Sequence, residues 1–333
     1  MLQAIISLSP VLLFLLSLVY LDSYKLVSLR GTLLTILFGC VVAGLGFLLN
    51  TGAVMLFDLH PQTESRYVAP VLEESLKAVY LVYLIRKDRI GFMVDAAIRG
   101  FALGAGFALV ENLYYLQLRP EAGVVLWVVR GFGTAIMHGG ATAIVGVLAK
   151  SLLDRYGSSR LMYVLPGLIV AVVVHVFYNH FFISPIVSTL AILILLPMIL
   201  VLVFNRSEKV TRNWLGVGFD SDRELLEMIT TGTLSETRIG TYLHSLETHF
   251  ASGVVADMLC YLRVYLELSI KAKGVLLMRE AGFEIGADPD VRDQLAELAY
   301  LEKTIGRTGI RILMPCLGAN RRDLWQLQLL VPQ

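Results

Sequence analysis

The sequence predicts an all-α, polytopic membrane protein: a bundle of about seven spanning helices with a small helical domain after it. Three observations carry that class. Of 333 residues, 56% are hydrophobic and 17% charged, with a mean hydropathy of +0.70, whereas soluble domains hold about 45–50% apolar and about 25% charged residues. Apolar runs of the ~20 residues needed to cross a bilayer recur along the first two-thirds of the chain. From about residue Asn205 onward charged residues become frequent and apolar ones fall into helical spacing.

The runs that qualify as spans are 5–21, 31–57, 68–85, 97–116, 124–149, 161–182 and 186–204. Residues 1–20 lack a basic leader and a small-residue cleavage pattern, so they read as a first span and not as a removed signal peptide. Lys25 and Arg30 follow the first span, Arg86, Lys87 and Arg89 the third, Lys150, Arg155 and Arg160 the fifth, and Arg206, Lys209 and Arg212 the seventh. The alternate loops hold only Arg66 and Arg119. The positive-inside rule then places the N-terminus outside and the tail in the cytoplasm of a cell-membrane protein. Residues 1–204 form the membrane domain, with a core of about 68–183, and 205–333 a cytoplasmic one. Helices are expected there at 222–230, 235–250, 254–278 and 288–304, with Ser235 and Asp288-Pro289 as start signals. Leu262, Leu266 and Ile270 make an apolar stripe at a spacing of four. No catalytic motif is visible in this tail, which reads as a packing module or a dock for a cytoplasmic partner.

A net charge of +1 excludes the strongly basic footprint of a nucleic-acid partner. Cys40, Cys260 and Cys316 show no metal-ligand spacing and read as reduced thiols. The informative residues are the ionisable ones inside spans. Glu73, Glu74 and Lys77 sit in the third span, with Lys77 four residues after Glu73 and three after Glu74, one helical turn on. Each charge costs about 2.5–3.5 kcal/mol at the centre of a spanning helix, so they must face protein or water. Glu111 with Asn112 lies in the fourth span, His138 in the fifth, and His175, Asn179 and His180 in the sixth.

At about 1.5 Å per residue, Glu73, Glu111 and His175 fall roughly 8–12 Å below the outer ends of their spans, and His138 about 20 Å below its own. Most of these groups therefore share one layer in the outer half of the bilayer, as a single site requires. Gly100, Gly104, Gly106, Gly131, Gly133, Gly139 and Gly140 allow close helix approach around it. His180 reads as structural. Arg99 and Arg130 lie near span ends, where long side chains reach the interface.

A carboxylate with a second acid can hold and deprotonate water, and a His and Asn one turn apart can donate to an oxyanion. Zinc on Glu73, Glu111, His138 and His175 would instead lower the pKa of a bound water; the residues leave both routes open. Gly-x-Ser-x-Gly, Ser/Lys and His-Glu-x-x-His arrangements are absent from the sequence, which argues against those hydrolase types. A transporter using Glu73 and Glu111 as ion carriers, and a receptor or scaffold without chemistry, stay as alternatives; neither an internal repeat nor a pair of Pro-broken helices supports transport.

Glu73-Glu74-Ser-Leu-Lys77, Phe107-Ala-Leu-Val-Glu111-Asn112, His138 and His175-Val-Phe-Tyr-Asn179, in that order, resemble the motifs of the PrsW family of intramembrane proteases, within the CAAX-processing and bacteriocin-processing superfamily. The resemblance covers roughly residues 30–205. It implies Glu73, the first of the pair with Glu74, as the water-activating base, Glu111 as a second water-holding group, and His175 with Asn179 at the oxyanion. It implies as substrate a membrane-anchored protein cut near the outer face, such as an anti-sigma factor.

Overall fold

The computed structural model describes residues 1–156, 161–283, 288–317 and 325–330; Arg160 of the basic loops lies outside them. Their regular structure is all helical, with no strand among the described residues. They form two compact units, Met1–Glu208 and Lys209–Gln333.

In the first unit, α1 (Leu2–Leu21) is followed by α2 (Leu29–Phe57), whose first turn is capped by Ser28 accepting from the Gly31 N–H at 3.0 Å. A single turn, α3 (Pro61–Thr63), runs into π-helical Glu64–Val68 and on into α4 (Ala69–Arg86). Then come α5 (Met93–Leu118), α6 (Val124–Val128), π-helical Val129–Thr134, α7 (Ala135–Tyr156), α8 (Leu165–His180) and the first half of α9 (Pro185–Thr231), whose residues from Lys209 belong to the second unit. Among the described residues, six stretches are long and apolar enough to cross a membrane: Leu2–Leu21, Leu29–Phe57, Met93–Leu118, Val124–Tyr156, Leu161–His180 and Pro185–Thr231. The protein is a polytopic helix bundle. Where a third span was expected the chain forms a helix, α4, whose 18 residues hold too many charges to stand among those six.

The faces of α4 are reversed relative to a soluble helix. Glu74, Lys77, Ala78 and Leu81 are buried, while Val71, Val79 and Tyr83 are exposed. That is the arrangement lipid demands, with apolar groups outward and charges shielded by neighbouring helices.

The core is built on α5, which is buried along almost all of Val94–Ala108 and packs against α1, α2, α4 and α7. Its glycines set the helix spacing. A Cβ on Gly106 would lie 2.1 Å from the Ile36 carbonyl oxygen of α2, and one on Gly104 would lie 2.3 Å from the His138 carbonyl oxygen of α7. These contacts bring α5 backbone to backbone with two neighbours, the close approach that small residues give membrane helices. At its N-terminus, Asp95 is fully buried, accepts from the Gly91 N–H at 2.9 Å and pairs with Arg99 Nε at 2.8 Å. Arg99 thus spends its charge on its own helix and does not reach away from the bundle.

In the second unit the chain continues through α10 (Arg238–Leu246), α11 (Ser252–Glu280) and α12 (Pro289–Leu313). Leu262 and Leu266 of the expected stripe are buried at 0% and 1% exposure, with Ile270 half-buried. Asp288 caps α12 by accepting from the Asp290 N–H at 3.0 Å. Two details differ from expectation. Residues 222–230 form no separate helix but are the end of α9. Ser235 is not a cap: it lies in a 3₁₀ turn, Thr233–Glu236, after Gly232 turns left-handed (φ 79°), and Thr237 caps α10 instead. Buried Lys273 bonds the Gly218 carbonyl at 3.0 Å and Asp222 at 2.5 Å, tying α11 to the part of α9 within this unit.

Gly106→Ala is expected to lower stability by about 1–3 kcal/mol or more through overpacking, read as a lower thermal midpoint in detergent. Gly44→Ala, where a Cβ meets nothing within 4 Å, is expected to leave that midpoint unchanged.

Candidate active site

Successive residues on a helix are turned by about 100°, so Glu73 and Glu74 of α4 look in different directions. Glu74 and Lys77 are both fully buried. Lys77 Nζ lies 2.8 Å from Glu74 Oε1, 2.9 Å from His138 Nδ1 and 4.0 Å from the centre of the Phe107 ring. An ammonium has three hydrogens, and each has a partner here: an anion, a lone pair and a π face. Glu74 Oε1 also accepts from His175 Nδ1 at 3.0 Å, while Glu74 Oε2 is buried without a partner.

These bonds assign both imidazoles. Lys77 can only donate, so His138 Nδ1 accepts and its ring proton sits on Nε2. That proton is donated to Glu111 Oε2 at 3.0 Å. Glu74, a carboxylate, can only accept, so His175 carries its proton on Nδ1 and presents a bare lone pair at Nε2. The two rings meet edge to face with centroids 4.7 Å apart.

Glu111 has its own cation. Arg130 Nη2 lies 3.1 Å from Glu111 Oε1, Arg130 Nε donates to Asn112 Oδ1 at 2.9 Å, and the guanidinium stacks 3.7 Å from the Tyr115 ring centre. Asn112 in turn donates to the Ser7 carbonyl of α1 at 2.7 Å. Arg130 is 8% exposed, so it does not reach the interface as expected. It belongs to the buried network because Glu111 offers it an ion pair there. A signal was present: counted from residue 124, Arg130 lies about 9 Å along its span, level with Glu111.

Glu73 is different. It is half-buried, its Oε1 accepts from Asn50 Nδ2 of α2 at 3.1 Å, and among the described residues no cation stands in salt-bridge contact with it. Asn50 was missed in the sequence, although it is a lone amide within an apolar run. A cavity of about 750 Å³ is lined by Glu73, Glu111, His138, His175 and Asn179, together with Asn50 and Arg130. Glu74 is absent from its wall and stands behind it. Asn179 gives one amide hydrogen to the Ser65 carbonyl at 2.9 Å. His180 bonds the Val176 carbonyl of its own helix at 2.7 Å. His138, expected deeper than the rest, lies among them, bonded to Lys77 and Glu111.

A family model described as PrsW family intramembrane metalloprotease matches residues 28–204. The chain belongs to the PrsW family. It is therefore an intramembrane protease, and such an enzyme acts on membrane-anchored substrates. No curated protein and no solved structure matches it. All the site residues named above except Ser7, which lies on α1, fall within the PrsW match, and Lys209–Gln333 lies outside it.

The PrsW description implies a metal, and the residues present fit one. Glu73, His138 and His175 carry candidate donor atoms all within 4.8 Å of one another; Glu73 and His175 Nε2 are open to a metal, and His138 would join them by giving up its bond to Lys77 or to Glu111. Two imidazoles and a carboxylate are a catalytic zinc set, and the Glu74 bond to His175 Nδ1 is the outer support such ligands carry. Glu111, also among the expected zinc ligands, is instead held between Arg130 and His138 Nε2.

Lys77→Met is expected to cost about 3–5 kcal/mol by stranding the Glu74 charge. Adding Glu74→Gln to it is expected to recover most of that loss. Thermal unfolding of the single and double variants in detergent checks both statements.

Proposed function

We propose that this protease hydrolyses a peptide bond of a membrane-anchored protein with a water activated at Glu73. One observation carries the reading: Glu74 is matched by Lys77 and Glu111 by Arg130, and of the two carboxylates on the cavity wall with no bonded cation among the described residues, Glu64 and Glu73, it is Glu73 that groups within 4.8 Å of the imidazole nitrogens of His138 and His175. A carboxylate matched by a bonded cation is a weaker proton acceptor than one left without.

Glu73 and His175 Nε2 offer two acceptors for one water. Glu73 takes a proton as the water oxygen adds to the substrate carbonyl carbon, and His175 holds the second O–H. Glu73 then passes its proton to the amide nitrogen as the C–N bond breaks. With its proton on Nδ1, His175 accepts here and does not donate, so the oxyanion role falls to Asn179, whose second amide hydrogen is not spent on Ser65. Glu111 orients His138 and is not a second base. A zinc ion on Glu73, His138 and His175 would add Lewis acidity that lowers the pKa of a bound water.

The positive-inside pattern supports a site in the outer half of the cell membrane, with α4 as a seventh span, the N-terminus outside and residues 205–333 in the cytoplasm. A single-span regulator such as an anti-sigma factor is the substrate type in keeping with that depth, and the cytoplasmic domain is a dock for a partner.

Glu73→Gln is expected to lower cleavage of single-span substrates in proteoliposomes by about 10²-fold or more, with the thermal midpoint kept. Unchanged cleavage overturns the reading. Zinc analysis of the purified protein, before and after chelation, separates the two routes: one equivalent whose removal stops cleavage assigns the metal route, and full activity without metal assigns the carboxylate route.

A further inference from the structure

One carboxylate of the cavity takes no part in the hydrolysis described above. Glu64 lines the wall together with Glu73 and Glu111. It is half-buried, and among the described residues its carboxylate has neither a bonded cation nor a hydrogen-bond donor. Its own helix supplies no lysine or arginine. Helical partners stand three or four residues away, and those positions hold His60, Pro61, Tyr67 and Val68. His60 Nδ1 accepts from the Gln62 N–H, so that ring is neutral. Arg130, the guanidinium on the wall, is taken by Glu111. A carboxylate that has lost part of its water and has no partner in its own chain is set to receive a cation from a ligand.

Its place relative to the reacting groups follows from the helix that carries both. Pro61–Thr63, Glu64–Val68 and Ala69–Arg86 follow one another without a break. Glu64 precedes Glu73 by nine residues, roughly 12–13 Å along the axis. The next residue, Ser65, accepts from Asn179 through its carbonyl at 2.9 Å. Glu64 thus stands at the Asn179 end of the cavity, past the groups that act on the scissile bond. An extended chain covers about 3.4 Å per residue, and a long side chain shortens the count, so the substrate residue that meets Glu64 is about two to four positions from the cut.

We propose that Glu64 is a specificity residue that pairs with a lysine or arginine of the substrate, on the side of the cut nearest the start of α4. Such side chains reach their charge out from span ends, in keeping with a cut near the membrane surface. Basic residues are scarce on the outer side of membrane proteins, so the requirement narrows the substrates to few spans. This inference rests on the protease reading.

The test moves a charge along the substrate. Full-length protein in proteoliposomes is given a synthetic Leu/Ala span with a central Gly-Ser-Gly, and the cut is mapped by mass spectrometry. Each position around the cut is changed in turn to Lys and, as the neutral counterpart, to Gln. The readout is kcat/KM for Lys over Gln at each position, a ratio in which a general loss of activity cancels. The native chain is expected to prefer Lys by about fivefold or more at one position on one side of the cut, chiefly through KM. With Glu64→Gln that preference disappears. With Glu64→Lys it inverts, and a Glu at the same position becomes the favoured residue. Equal ratios along the whole native scan, or a Lys preference that survives Glu64→Gln, overturns this inference alone. No cleavage of any of these peptides by the native chain overturns it together with the protease reading.

Discussion

The site depends on one ammonium kept in a dry interior. Lys77 has an anion, an imidazole lone pair and an aromatic face around it. A buried ion pair stabilises little net, because desolvation of both partners offsets their attraction. Its value here is geometric. Because Lys77 can only donate and Glu74 can only accept, the pair dictates which nitrogen of His138 and of His175 carries the proton. It also fixes the rotation of α4, which leaves Glu73 turned to the cavity.

Around that pair, charge is balanced carboxylate by carboxylate. Glu111 lies between Arg130 and His138, and Arg130 is steadied by Asn112 and the Tyr115 ring. Each carboxylate that is neutralised stops competing with Glu73 for the water. Among the described residues, Glu73 and Glu64 are the carboxylates of the cavity wall with no bonded cation. Unmatched groups of this kind are where a membrane enzyme can act on a polar bond.

The backbone contacts make this balance possible. Side chains of Glu, His and Lys span only a few ångströms, so their parent helices must nearly touch. The glycine contacts of α5 with α2 and α7 supply that nearness, and Gly104 rests on the carbonyl of His138 itself. Packing and chemistry are therefore joined at one residue. The second unit has its own core around α11 and a buried Lys273–Asp222 pair; it lies outside the PrsW match.

Much of this was legible before any coordinates. Composition and run length announce a helical membrane bundle, because lipid admits few other solutions for the backbone. The cost of charge in lipid pointed to the reversed helix at Glu73, Glu74 and Lys77 and to the residues that meet it. What the linear chain could not hold was pairing. Arg130 looked like an interface residue because its partner Glu111 is on another helix, and Asn50 gave no sign that it faces Glu73. Identity and spacing determine which groups are too polar to face lipid; only the packed helices decide which of them neutralise one another, since that is set by distances of about 3 Å between residues far apart in sequence.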